Sequence, residues 1–159
     1  MSITTNQPAI VDEGALSVRR SIRIAASQAK VWEAVTVPEH ISRWFGQTEL
    51  DGQGAGATGT MGWPGRQPIP LRVEAIEPQR MVAYRWNNDD ASSVIPEAFD
   101  AASSTIFTFT LEPADGGTQL TVEETGFEAT SDARENLSRH QQGWTSELDK
   151  LVALLEARP

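Results

Sequence analysis

The stretch Gln28 to Gly46, QAKVWEAVTVPEHISRWFG, holds two short helix signals separated by one proline and closes on Trp44-Phe45-Gly46. Ser27 precedes it, and its hydroxyl can cap a helix by accepting a bond from a free backbone N–H. Val31, Trp32 and Val35 then recur at helical spacing. Pro38 stops this helix, because it has no N–H to donate and its ring crowds the preceding turn. The same proline suits the first turn of a new helix, so Glu39 to Phe45 is predicted as a second one, with Gly46 as its terminator.

Outward from this pair the periodicity changes to two. Upstream, Leu16, Val18, Ser21, Ile22 and Ile24 predict a first strand, with Arg19, Arg20 and Arg23 as its polar side. Residues 1–14 are polar, contain a Pro and a Gly, show neither period and are expected to form a flexible leader to one domain spanning 15–159. Downstream, strands are predicted at Thr48–Asp51, Thr58–Trp63, Leu71–Glu77, Met81–Asn87, Thr105–Glu112 and Thr118–Thr125. Glu77-Pro78-Gln79-Arg80 and Asp115-Gly116-Gly117 supply turn chemistry for consecutive antiparallel hairpins. Asn88 to Ser104 is too long for a hairpin and is read as a functional lid or a disordered loop.

Each strand has one apolar face that needs a cover. Asp132 with Glu135 three residues on resembles a capping box, and Leu137, Gln141, Trp144, Leu148, Leu151 and Leu155 follow at alternating helical spacing. A helix over Asp132 to Ala157 would be about 39 Å long, enough to cross a six- or seven-stranded sheet obliquely. Gly143 sits inside it, where glycine costs about 1 kcal/mol relative to alanine, so either close backbone approach to the sheet or to a ligand, or a plain packing need, is expected there.

Composition limits the function. At 159 residues the chain is long enough to bury a real core, and 13 Lys and Arg against 22 Asp and Glu leave a net charge of -9, which repels nucleic acid. The absence of cysteine removes disulfides, thiolate chemistry and Cys-based zinc sites and suits a reducing compartment. The N-terminus lacks the pattern of a signal peptide, and no apolar run approaches the roughly 20 residues of a membrane span. A cytoplasmic protein without membrane insertion is expected. His40 and His140 are too few for a metal site, and the glycines from Gly52 to Gly59 lack the Lys-Ser/Thr pair and following helix of a phosphate loop. No strand-turn-helix nucleophile elbow is present. No cofactor is assigned.

VWEAVTVPEHISRWFG, VEAIEPQRMVAYRW, FTLEPADGGTQLTVEETGF and HQQGWTSELDKL, in that order, resemble the heat-shock protein 90 ATPase activator homologue family of the START-like superfamily, over about Ser17 to Glu156. The resemblance implies an α+β helix-grip fold: a curved antiparallel sheet of six to seven strands, two short helices after strand 1, and a long C-terminal helix across the concave face. It also implies an apolar cavity between sheet and helix that in related proteins receives a lipid-like or aromatic small molecule. A chaperone is the protein partner implied by the eukaryotic namesake, which carries an additional domain.

Five tryptophans beside one tyrosine are an unusual aromatic bias. Trp44 and Phe45 end the second helix, Met61 and Trp63 share a strand, Tyr84 and Trp86 another, and Trp144 lies on the covering helix, so inward-facing rings would converge on one cavity mouth. Phe107, Phe109 and Val122 on the next strands and Leu148 on the helix complete the apolar candidates for binding a small hydrophobic ligand. Glu124 follows the inward alternation of Leu120 and Val122. Facing inward it would need a partner, for which His140 is the candidate, or would carry a raised pKa, while its place near the strand end beside Gly126 leaves solvation by water as the alternative. Three functions stay open: a small-molecule binder, a protein-interaction module, and an enzyme using Glu124 or His140 as general acid or base.

Overall fold

The structure, a computed structural model, describes residues 4–157. Strand β1 (Ile10–Asp12) leads into β2 (Ser17–Ile24), followed by helices α1 (Gln28–Thr36) and α2 (Pro38–Ile41). Strands β3 (Gln47–Asp51), β4 (Thr58–Gly62), β5 (Ile69–Glu77), β6 (Met81–Trp86), β7 (Thr105–Ala114) and β8 (Gly117–Thr125) come next, and α3 (Ala133–Glu156) closes the chain. The eight strands form one curved antiparallel sheet in the order β1-β2-β8-β7-β6-β5-β4-β3. The pair α1-α2 therefore carries the chain from one side of the sheet to its far edge, while α3 packs on the same face against β2 and α1. This is the expected helix-grip architecture.

The sheet has eight strands where six or seven were expected. The additional strand is β1, which pairs Ile10 with Arg19 and Asp12 with Ser17, inside the stretch read as a leader. Three residues are too few to register as a period, and their partner supplies the stability. Ala9 beside it is buried, and its carbonyl accepts from Gln141 Nε2 at 2.9 Å. Residues 1–3 of that stretch lie outside the described residues.

The local signals act as the sequence implies. Ser27 accepts from the Lys30 amide, and Asp132 caps α3 by accepting from the Glu135 amide at 3.1 Å. Val37, held extended before Pro38, separates α1 from α2. The second helix is shorter than expected: it ends at Ile41, and a tight turn whose Phe45 amide bonds to the Ile41 carbonyl leads to Gly46. Gly46 is needed for close approach and not for a left-handed cap, since a Cβ there would lie 2.6 Å from Met61 Cγ. Gly116 is the position that needs a positive φ, at 76°, in the tight β7-β8 turn.

The inner face alternates along each strand. On β2 the alternating buried set is Val18, Arg20, Ile22 and Ile24, with Ser17 also buried at its start, so Arg20 is not on the polar side with Arg19 and Arg23 as expected. Its guanidinium reaches α3, donating to the Thr145 carbonyl at 2.9 Å and to Asp149 at 2.7 Å. Two further polar groups tie α1 to the layer beneath it: Trp44 Nε1 donates to the Ala34 carbonyl at 2.8 Å, and the Tyr84 hydroxyl to the Val35 carbonyl at 2.6 Å. On α3 the buried residues are Asn136, Leu137, His140, Trp144, Leu148, Leu151 and Val152. Two polar residues, Asn136 and His140, thus enter the stripe in place of the expected Gln141 and Leu155, which stay half-buried.

Candidate functional site

Glu124 organises one end of the space between sheet and helix. The period of two along β8 turns it inward beside Leu120 and Val122, and it is completely buried. A bare carboxylate in such a place would be strongly destabilising. Four donors meet it: Trp144 Nε1 at 2.8 Å and His140 Nδ1 at 2.8 Å on Oε1, and Thr105 Oγ1 at 2.6 Å and Trp86 Nε1 at 2.9 Å on Oε2. Burial acts to raise the Glu124 pKa, but the charge of His140 and the hydrogen bonds from His140, Thr105 and Trp86 outweigh it and hold the carboxyl below its usual range. Burial likewise disfavours the His140 cation, yet Glu124 on one side and Asp90 on the other push its pKa up to about 10. His140 is therefore an imidazolium at neutral pH.

The second ring nitrogen of His140, Nε2, lies 3.1 Å from Asp90 Oδ2, at ion-pair distance but without the alignment of a hydrogen bond. Asp90 also meets Arg66 at 3.2 Å. Its neighbour Asp89 accepts from the Ser131 amide at 2.7 Å, the Ser131 hydroxyl at 3.0 Å and Asn136 Nδ2 at 2.8 Å, and the Asp90 amide donates to Asn136 Oδ1 at 2.7 Å. The connection between β6 and β7 is thus clamped to the start of α3 at its first residues. Farther along, Asn87 and Asp100 exchange two bonds across its base.

Above this buried charge network lies a cavity of about 280 Å³. Phe45, Trp63, Trp86 and Trp144 form its aromatic walls, and Arg66, Asn88, Asp90, Arg139, His140, Gly143 and Glu147 complete the lining. Phe45 is central, with ring centroids 5.5 Å from Trp63, 5.7 Å from Trp86 and 5.4 Å from Trp144. A Cβ added at Gly143 would meet nothing within 4 Å, so this glycine widens the cavity and makes no close backbone approach to the sheet.

Five of the thirteen residues expected to bind a ligand line this cavity: Phe45, Trp63, Trp86, His140 and Trp144. Glu124 lies behind the wall, completely buried and bonded to three of its members. Trp44, Met61, Tyr84, Phe107, Phe109, Val122 and Leu148 are buried in the core, where close ring packing fills the space. The Trp and Tyr polar handles expected to orient a ligand are mostly bonded inside the protein, those of Trp86 and Trp144 to Glu124 and those of Trp44 and Tyr84 to α1.

Apart from Gly143, the rim residues on α3 were not singled out in the sequence. Arg139, Gly143 and Glu147 fall at intervals of four beside His140 and Trp144, a stripe along one edge of α3 that helical spacing makes visible once the face is known. Asn88 and Asp90 lie in the long connection read from the sequence as a functional lid or a disordered loop.

Comparison with known proteins agrees with this architecture. The family described as "Activator of Hsp90 ATPase homolog 1-like protein" matches residues 25–156. Among solved structures, protein MLL2253 from Mesorhizobium loti is 28% identical, with 88% of this chain and 96% of that chain covered and a TM-score of 0.71. CalU16 from Micromonospora echinospora is 21% identical, covers 98% of this chain and 87% of that chain, and has a TM-score of 0.65. The Aha1 dimer from Colwellia psychrerythraea is 20% identical over 88% of this chain and 96% of that chain, with a TM-score of 0.67. At such identities the last two share the fold alone. No curated protein matches the chain. With 132 consecutive residues matched, running from the cap of α1 to the end of α3, the chain belongs to the Activator of Hsp90 ATPase homolog 1-like family.

Proposed function

We propose that this protein binds a small aromatic molecule in the cavity between β6, the connection that follows it and α3, without chemistry of its own. The observation that carries the reading is the open space over Gly143, enclosed by Phe45, Trp63, Trp86 and Trp144. Rings of this kind offer large contact area at low entropic cost, and a few polar groups at the rim suffice to orient a ligand. A long lipid chain fits less well, because the core beneath is filled by Phe107, Phe109 and Tyr84. Glu124 acts here as a positioning residue: it fixes Trp86, Trp144 and His140 at the wall. Its four donors leave it no free valence for general acid or base work.

Native mass spectrometry of the purified protein tests the proposal directly through a co-purifying small molecule. Titration with aromatic compounds, read by quenching of Trp63, Trp86 and Trp144 and by thermal shift, is the second arm. A broad aromatic panel that yields neither quenching nor shift overturns it.

Modulation of a chaperone is the second reading, favoured by the family description together with the net charge of -9. Salt-sensitive retention on immobilised heat-shock protein 90 is its test. No helix among the described residues is long and apolar enough to cross a membrane, and action in the cytoplasm by a single domain that includes β1 is part of the proposal.

A further inference from the structure

Among the described residues, three buried side-chain polar atoms lack a hydrogen-bond partner: Asn88 Oδ1, His140 Nε2 and Glu147 Oε2. All three residues line the same cavity. Two of them face a charge without the alignment of a hydrogen bond, His140 Nε2 at 3.1 Å from Asp90 Oδ2 and Glu147 Oε2 at 2.7 Å from Lys150 Nζ, and Asn88 Oδ1 faces neither. Buried polar atoms are nearly always paired, so their concentration at one place marks a surface completed by something else.

The charges around the cavity narrow what that is. His140 is held between Glu124 and Asp90, Arg66 is paired with Asp90, and Arg139 with Glu135 at 2.7 Å. Every cation of the lining already has a carboxylate, so an anionic ligand would have to displace one. Glu147 is balanced by Lys150 at 2.7 Å from the solvent side. What is left over is acceptor capacity: the amide oxygen of Asn88, which meets no donor, and the lone-pair capacity of Glu147 Oε2 that the single contact with Lys150 Nζ at 2.7 Å does not use. The last torsion of either side chain is soft, so a small rotation turns its oxygen toward the cavity.

We propose that the ligand is a neutral aromatic molecule carrying at least one O–H or N–H donor, received by Glu147 Oε2 or Asn88 Oδ1 while its ring lies among Phe45, Trp63, Trp86 and Trp144. This rests on the cavity reading above and adds the polar class of the ligand to it. Hydrogen bonding of this kind discriminates strongly, because an analogue without the donor leaves the acceptors unpaired.

Isothermal titration calorimetry of the full chain at neutral pH with three probes of nearly equal size tests it: 2-naphthol, which donates; 2-methoxynaphthalene, which cannot; and 2-naphthoate, an anion. The expected result is at least tenfold tighter binding of 2-naphthol than of either other probe. In Glu147→Met and Asn88→Ala that preference should fall to threefold or less in at least one variant, with 2-methoxynaphthalene affinity unchanged. Equal binding of 2-naphthol and 2-methoxynaphthalene, or tighter binding of 2-naphthoate, overturns the donor requirement and leaves the aromatic cavity standing. If none of the three binds, the cavity reading fails with it. A preference that persists in both folded variants overturns the assignment to Asn88 and Glu147. Should a variant not fold, the wild-type ratio decides the ligand class by itself.

Discussion

His140 Nδ1 donates to Glu124 Oε1 at 2.8 Å, joining the middle of α3 to the inner face of β8 by an ion pair that is almost wholly out of water. The pair lies where strand alternation and helix periodicity happen to aim two charged side chains at one point. Its stability contribution depends on both partners being present, since either alone would be a buried, uncompensated charge.

Glu124→Gln should therefore be strongly destabilising. The amide keeps the volume but leaves the imidazolium of His140 with Asp90 as its one neighbouring carboxylate and presents an N–H to donors that need an acceptor. A loss of about 3–5 kcal/mol in denaturant unfolding is expected. A loss below about 1 kcal/mol would show that the network contributes little. The double variant Glu124→Gln with His140→Leu should recover part of the loss, because the unpaired charge is gone.

The same pair sets a pH dependence. The folded pKa of His140, raised from 6.5 to about 10, means that its stabilisation is complete below 6.5 and is lost as pH rises toward 10. Over that window the folded state holds a proton the unfolded chain has released, and the slope is at most about 1.4 kcal/mol per pH unit. The folded pKa of Glu124 is lowered, so its contribution is present above 4.5 and declines as pH falls through the acidic range. The groups facing His140 are Glu124 from β8 and Asp90 from the connection after β6, with Arg66 beyond Asp90 and Arg139 adjacent on α3. Unfolding free energy measured from pH 6 to 10 should fall in the wild type and stay nearly flat in His140→Gln. Parallel curves would contradict the assignment. Burial also raises the Tyr84 pKa, so a decline shared by wild type and His140→Gln sets in near pH 10, and the difference between the two curves is read below it.

Gly143 separates stability from binding. Gly143→Ala should raise stability by up to about 1 kcal/mol through helix propensity, since its Cβ meets nothing. Gly143→Leu should fold equally well yet weaken any aromatic probe at least tenfold by occupying the cavity. Undiminished binding in the folded leucine variant would place the ligand elsewhere.

Asp89 holds the connection after β6 against α3 through Ser131 and Asn136. Asp89→Ala should cost about 1–3 kcal/mol and increase amide hydrogen exchange across residues 88–95 at least tenfold, while β7 and β8 stay protected. If the cavity is entered by movement of this segment, ligand association and dissociation should both accelerate in the variant with only a modest change in affinity. Unchanged exchange in residues 88–95 would show that the clamp is not what orders them.

Much of this arrangement is legible in the sequence. Ser27, Pro38 and Asp132 act through their own backbone neighbours, and alternation along β6 to β8 is a property of each strand alone, so the elements and their inward faces follow from local chemistry. The strand period suggests the inward aim of Glu124, with His140 as a candidate partner and solvation beside Gly126 as the alternative; the buried network decides between them. The architecture follows from matching those elements to a known family. What the sequence does not contain is any measure of depth. It does not distinguish Trp86, whose ring reaches the cavity, from Phe107 beside it in the sheet, which fills the core, because both alternate inward and both are large. Nor does it show that the indole N–H groups of Trp86 and Trp144 are committed to Glu124 and withheld from a ligand.

The sequence by itself determined the order of the elements, their apolar faces and the family, because helix caps, proline and strand alternation act over a few residues. Only the tertiary structure decided that β1 pairs at the sheet edge, that Arg20 turns inward onto α3, and that the cavity is small, aromatic and rimmed by Asn88, Asp90, Arg139 and Glu147. Those outcomes depend on which surfaces meet across the sheet and helix, over separations of tens of residues. Burial, and with it the ionisation of His140 and Glu124, exists only once those surfaces have met.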